Sequence, residues 1–158
     1  MKQKTNEGII MVITTAFSKF SAKELRCKGS GVILIDKRFA DKITEFREFV
    51  WGLPINPSSV CRTPDHNKAV GGHPTSLHLT ENPKHKTFGT AAMDCRWSEM
   101  SKKDKLIFAR LAYKTGFSVG LHNLFCHLDL RTIAGLPQHC FIYGEWDKQF
   151  KPEDVIND

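Results

Sequence analysis

The segment Ser59–Asp94 concentrates the residues of this chain that could do chemistry. It carries Arg62, the histidines His66, His73, His78 and His85, and Asp94 at its end, arranged around Gly71-Gly72. A second cluster, Phe-Cys-His-Leu-Asp-Leu-Arg, follows at Phe125–Arg131. Two histidines and a carboxylate drawn from two separated segments are the inventory of a catalytic zinc site. Neutral imidazoles plus one carboxylate leave a coordination position for water, whose pKa zinc lowers toward about 7. The chain therefore reads as a hydrolase before its fold is considered.

Such ligands must sit on rigid elements. With 158 residues, 41% hydrophobic and 25% charged, the chain reads as one globular domain, 1–158, and neither disordered nor collagenous. No repeat or linker divides it. Asp36 is placed to cap a helix running from about Asp36 to Trp51, with Phe39, Ile43, Phe46 and Val50 on one face. Leu53-Pro54 closes that helix. Ile55–Arg62 reads as a strand. Thr63 and Pro64 then open a short helix to Val70, which the Gly-Gly pair ends.

Ala91–Arg96 reads as a buried strand. A second long helix covers about Ser98–Thr115, with Ser98 or Ser101 as its cap and Gly116 just past its end. Phe117–Leu121 and Phe125–Leu130 pattern as a hairpin, and Cys140–Tyr143 as a last short strand. Ser18–Gly31 reads as loop with one helical turn, Ala22–Arg26. Helices and strands in separate runs give an α+β class: a small antiparallel sheet flanked by two main helices.

Strand alternation puts His127 and Asp129 on one face, with Cys126 and Leu128 on the other. Asp129 then lies in or beside any pocket that His127 lines. It either orients a histidine or accepts a proton. His122, near the preceding turn, is the second candidate for proton transfer.

The formal net charge of +6 favours polyanions such as an anionic wall polymer. No arginine-rich arm or block of like charge supports nucleic-acid binding. The five cysteines, Cys27, Cys61, Cys95, Cys126 and Cys140, form no CxxC pair and read as reduced, buried thiols. Met1, Lys2 and Lys4 precede a short apolar run, Gly8–Phe17, but Glu7, Thr14 and Thr15 break the pattern of a signal peptide. No stretch approaches the ~18 apolar residues of a membrane span. His73, His85 and His139 read as surface residues, His66 and Asn67 as braces of a turn, and Trp51, Trp97 and Trp146 as packing. Lys102, Lys103 and Lys105 read as a solvated helix face.

Several of these blocks resemble a known family. Arg62-Thr63-Pro64, His66-Asn67, Ala69-Val70-Gly71-Gly72 and Ser76-Leu77-His78 are similar to R-S-P-x-H-N-x-A-V-G-G-x-x-x-S-x-H of the zinc D-Ala-D-Ala carboxypeptidase-like peptidases. Gly89–Asp94 resembles their G-x-A-x-D with one extra residue, and Phe125–Arg131 their F-V-H-V-D-V-R. The lead-in from Phe20-Ser21 to Leu25-Arg26-Cys27 is similar to F-S-x-x-E-F-x-C. The likeness spans roughly 17–143. It implies a fold shared with Hedgehog signalling domains and VanX-type dipeptidases. It also implies a zinc ion held by His78, Asp94 and His127, with Arg62 binding and polarising the scissile carbonyl and Ser76 supporting the site by hydrogen bonding.

The chain departs from that pattern twice. Leu124 stands where many members carry Glu or Asp, three residues before the last zinc histidine. Residues 80–88 look like an inserted loop between His78 and Asp94, and they bring His85 with them. The resemblance implies hydrolysis of peptidoglycan stem or cross-link peptides, of the DD-carboxypeptidase or the L-Ala-D-Glu or DD-endopeptidase type. Small size and no evident signal fit a phage endolysin, made in the cytoplasm and acting on the wall at lysis. Leu124 motivates the alternative, a non-catalytic metal-binding structural or virion protein of the same fold.

Overall fold

The computed structural model describes residues 19–157, and the N-terminal apolar run lies outside them. A single helical turn, α1 (Ala22–Leu25), opens the described chain, capped by Ser21 with Glu24 reaching back in a capping box. Helix α2 (Lys37–Glu45) starts where Asp36 accepts the Arg38 N–H, and it widens into a π-helical stretch, Phe46–Trp51, before Gly52 turns the chain out at φ 75°. Strand β1 (Pro57–Ser59) is shorter than the Ile55–Arg62 expected. Pro57 has no N–H to give the ladder, and the register shifts between Pro57 and Ser59. Thr63 caps α3 (Pro64–Ala69), with Pro64 in its first turn.

Strand β2 (Ala92–Arg96) leads to α4 (Lys102–Thr115), which Ser101 caps and Gly116 ends in the left-handed region. Then come β3 (Ser118–Leu121), β4 (Phe125–Asp129), a 3-10 turn at Arg131–Ala134, β5 (Cys140–Ile142) and α5 (Pro152–Ile156). The strands form one sheet in the order β1-β2-β4-β3-β5. The α+β class is as expected. The antiparallel sheet holds for β1 to β4, and β5 corrects it by pairing with β3 in parallel. The cause is connectivity. The chain reverses after β4 and crosses to the outer edge of β3, so β5 runs the way β3 does.

Alternation divides the strand residues between two faces. Met93, Cys95, Val119, Leu121, Cys126, Leu128 and Cys140 join one core with Phe39, Ile43 and Phe46 from the first long helix and Phe108, Ala109 and Ala112 from α4. Phe46 and Phe108 meet edge-on at 5.2 Å, as do Trp51 and Phe108 at 4.9 Å. All five cysteines are buried and free. Trp97 and Trp146 are buried as packing residues, with their indole N–H groups donated to the His122 and Phe150 carbonyls.

Lys105 overturns one expectation. Lys102 and Lys103 are exposed, but Lys105 is buried with its ammonium 5.9 Å from the Trp97 ring.

Candidate metal centre

The opposite face of the sheet carries the polar residues. Asp94 on β2 stands directly across from His127 on β4. His78 comes from the loop between α3 and β2, and it is held on both sides by backbone. The Arg62 N–H donates to the His78 carbonyl at 2.9 Å, the Thr90 hydroxyl donates to the same oxygen at 2.8 Å, and the Ala91 N–H donates to Leu77. These bonds stitch the loop between the chain after β1 and the start of β2.

His78, Asp94 and His127 meet with their donor atoms within 4.8 Å of one another, all three buried. His78 Nε2 lies 3.3 Å and His127 Nδ1 2.9 Å from the same atom, Asp94 Oδ1. Each imidazole has its other nitrogen engaged outside the cluster. His78 Nδ1 donates to the Val60 carbonyl at 2.8 Å, and His127 Nε2 donates to Asp129 Oδ2 at 2.8 Å. That fixes both rings so that the inward nitrogens, with the carboxylate oxygen, converge on one point. Two nitrogens and one oxygen so disposed fit a zinc-type ion, whose bonds to such donors are about 2.0–2.2 Å.

Electrostatics follow from this packing. Burial works against ionisation of Asp94, but the His78 and His127 rings hold its carboxyl well below the usual carboxylate range. Burial likewise disfavours the charged form of His127, yet hydrogen bonds to Asp129 and Asp94 lift it to about 9. Asp129 is held at about 2 despite burial by His127 and Arg131.

The two candidate proton acceptors are both engaged. Asp129 accepts from the Arg131 backbone N–H at 3.0 Å, from Arg131 Nε at 2.9 Å and Nη2 at 2.6 Å, and from His127. His122 lies stacked on Phe125, with centroids 4.2 Å apart, and its Nδ1 accepts the Leu124 N–H at 3.0 Å. Its Nε2 therefore carries the proton in the neutral ring. Leu124 itself is 62% exposed.

Arg62 is half-buried beside the cluster. Its Nη2 donates to Ser76 Oγ at 3.4 Å, and Ser76 Oγ also accepts the His78 N–H at 3.2 Å. Ser76 thus ties the arginine to the histidine loop. Asn67 braces the Gly-Gly turn by donating to the His73 carbonyl at 2.9 Å. A side chain at Gly72 would collide with Asn67 and Arg62, which explains the glycine there. His73 and His139 are exposed, and His85 is half-buried in the insert.

The insert is ordered. Asn82 and Thr87 bridge across it, and Asn82 donates to the Thr75 and Ser76 carbonyls. The Phe88 N–H reaches Asp36 Oδ2 at 2.9 Å. Glu81 and Pro83 help to wall a cleft of about 560 Å³ that also borders Pro64, Lys68, Gly71 and Leu79.

Two residues of this site were without an assigned role in the sequence. Arg131 stands in the quoted Phe125–Arg131 block, and its spacing from Asp129 was the available signal. Tyr143 stacks on His127, ring planes 3° apart and centroids 4.7 Å apart. Alternation through Phe141 and Tyr143 was the signal for it. Burial raises the Tyr143 pKa and the Asp94 charge adds to this, while the charge and side-chain hydrogen bonding of Arg62 act the other way.

A family model described as Peptidase M15 matches residues 18–129. No curated protein and no solved structure matches the chain.

Proposed function

The chain belongs to the peptidase M15 family, and from that premise we propose that it is a zinc-dependent peptidase that cleaves peptide bonds of peptidoglycan. The observation that carries the reading is the buried convergence of His78, Asp94 and His127 on one point, each ring oriented by a second partner. An ion bound there supplies Lewis-acid activation of water and of the scissile carbonyl.

The chain's own residues do the rest. Asp129, itself clamped by Arg131, fixes the tautomer and the tilt of His127. Ser76 holds the Arg62 guanidinium on the side of the cluster where it can bind the carbonyl oxygen and take up its developing charge. His122, stacked on Phe125, keeps an N–H that can donate to substrate. The net charge of +6 favours adhesion to an anionic wall.

The test is mass spectrometry of purified peptidoglycan after incubation with zinc-loaded protein, beside a chelator-treated control. New chelator-sensitive fragments are expected, and their masses name the bond. Intact peptidoglycan with one zinc bound per chain would favour the non-catalytic reading that Leu124 motivates.

A further inference from the structure

Strands β4 and β5 are not neighbours. β3 runs between them, so their side chains start roughly 10 Å apart at a strand spacing of about 4.8 Å. Yet the ring of His127, on β4, lies flat against Tyr143, the residue just past β5. The two meet over Gly120, which is in register with His127 on one side and with Phe141 on the other. A Cβ at 120 would stand 3.0 Å from His127 Cβ, 3.0 Å from Tyr143 Cβ and 3.1 Å from the Phe141 ring. Phe125 closes edge-on against Tyr143 at 5.8 Å, and the Tyr143 N–H donates to the Leu121 carbonyl at 2.8 Å. The backbone bond, the stack on His127 and the edge contact with Phe125 therefore hold the phenol ring in place.

Its hydroxyl lies in the field of Arg62 and Asp94. The stack sets the phenol against a ligand of the cluster that Arg62 borders, and a neutral phenol has one proton to donate. A ring held this firmly against a ligand of the cluster makes its hydroxyl a pre-organised donor.

We propose that Tyr143 is a catalytic residue whose hydroxyl donates a hydrogen bond, alongside Arg62, to the oxyanion formed at the scissile carbonyl. This rests on the peptidase reading above. Addition of water moves the carbonyl π pair onto oxygen. Collapse returns that pair and breaks the C–N bond, and the amine leaves with a proton that came from the water. The phenol keeps its own proton throughout.

Tyr143→Phe keeps the ring and its stacking and removes only the donor. Zinc-loaded wild type and Y143F are compared on a stem pentapeptide for kcat and KM, and by calorimetry on phosphinate isosteres of the D-Ala-D-Ala and L-Ala-D-Glu bonds. Zinc content and melting temperature are measured on both. The expected result is a kcat lower by about 100- to 1,000-fold at similar KM, and weaker phosphinate binding by a comparable factor, with zinc content and melting temperature unchanged. Equal kcat and equal phosphinate affinity in the two proteins would overturn the role of Tyr143 and leave the peptidase reading standing. Wild type that neither cleaves the peptide nor binds either phosphinate, and that leaves purified peptidoglycan intact, would sink the peptidase reading, and this inference with it.

Discussion

Asp94 and His127 face each other across β2 and β4, Oδ1 to Nδ1 at 2.9 Å, and the His78 ring reaches the same carboxylate oxygen from a loop. The sheet register thus builds two-thirds of the donor set, and only the third donor depends on loop closure. A buried carboxylate in such a position is costly unless it is paired or coordinated.

Asp94→Ala should abolish stoichiometric metal binding, because it removes the oxygen on which both rings converge. The check is calorimetry with zinc, together with melting temperature at increasing zinc. Ligand binding to the native state stabilises wild type by about 2.7 kcal/mol at a hundredfold excess over Kd. The variant should show no such rise. A zinc-dependent rise of equal size in D94A would place the metal elsewhere.

Asp129→Asn separates two roles for that carboxylate. As a positioning group behind His127, its loss should weaken zinc affinity by about 10- to 100-fold while leaving one site per chain at saturation. A proton-accepting role would instead leave affinity untouched and lower turnover alone. The hydrogen bonds from Arg131 and His127 favour the first outcome.

The helix starts at Asp36 and Thr63 were legible in the sequence because capping is settled within three residues of the cap, and for α4 the sequence offered Ser98 or Ser101, of which Ser101 is the cap. The shared face of His127 and Asp129 was legible for the same kind of reason, since the two-residue period of a strand is local. The meeting of His78 with that face was anticipated through the motif resemblance. What could not be read depends on distant pairings. Tyr143 reaches His127 only because β5 joins β3 in parallel and Gly120 leaves room between them. Lys105 is buried because Trp97, outside its helix, covers that side. The insert lies down because Asp36, 52 residues from Phe88, accepts its backbone.

Gly120→Ala should destabilise the protein by about 1–3 kcal/mol, the usual cost of forcing a methyl group into a filled site. The new methyl would stand 3.0 Å from the β-carbons of both His127 and Tyr143, where a strand backbone cannot easily retreat. Urea denaturation of the two proteins measures the cost. Zinc affinity should fall as well, because the same methyl pushes the His127 ring from its place. Unchanged stability and affinity would mean that the two rings do not depend on the gap.

Asp36 joins two parts of the chain, α2 and the insert. It caps α2 through the Arg38 N–H, receives Nε and Nη2 of Arg38, and holds the Phe88 N–H of the insert. Asp36→Ala leaves these donors without their acceptor, at a cost of about 1–3 kcal/mol. Burial raises the Asp36 pKa, but the hydrogen bonds from Arg38 and Phe88 outweigh it and hold the carboxyl below its ordinary value. A depressed folded-state pKa contributes stability that is fully present above the unfolded value, about 3.9, and is lost as pH falls through the folded one. The gap between wild type and D36A, read from urea denaturation at pH 7, 5 and 3, should therefore hold from pH 7 to 5 and narrow at pH 3. A gap that stays constant to pH 3 would show that the ionised carboxylate adds nothing beyond its shape.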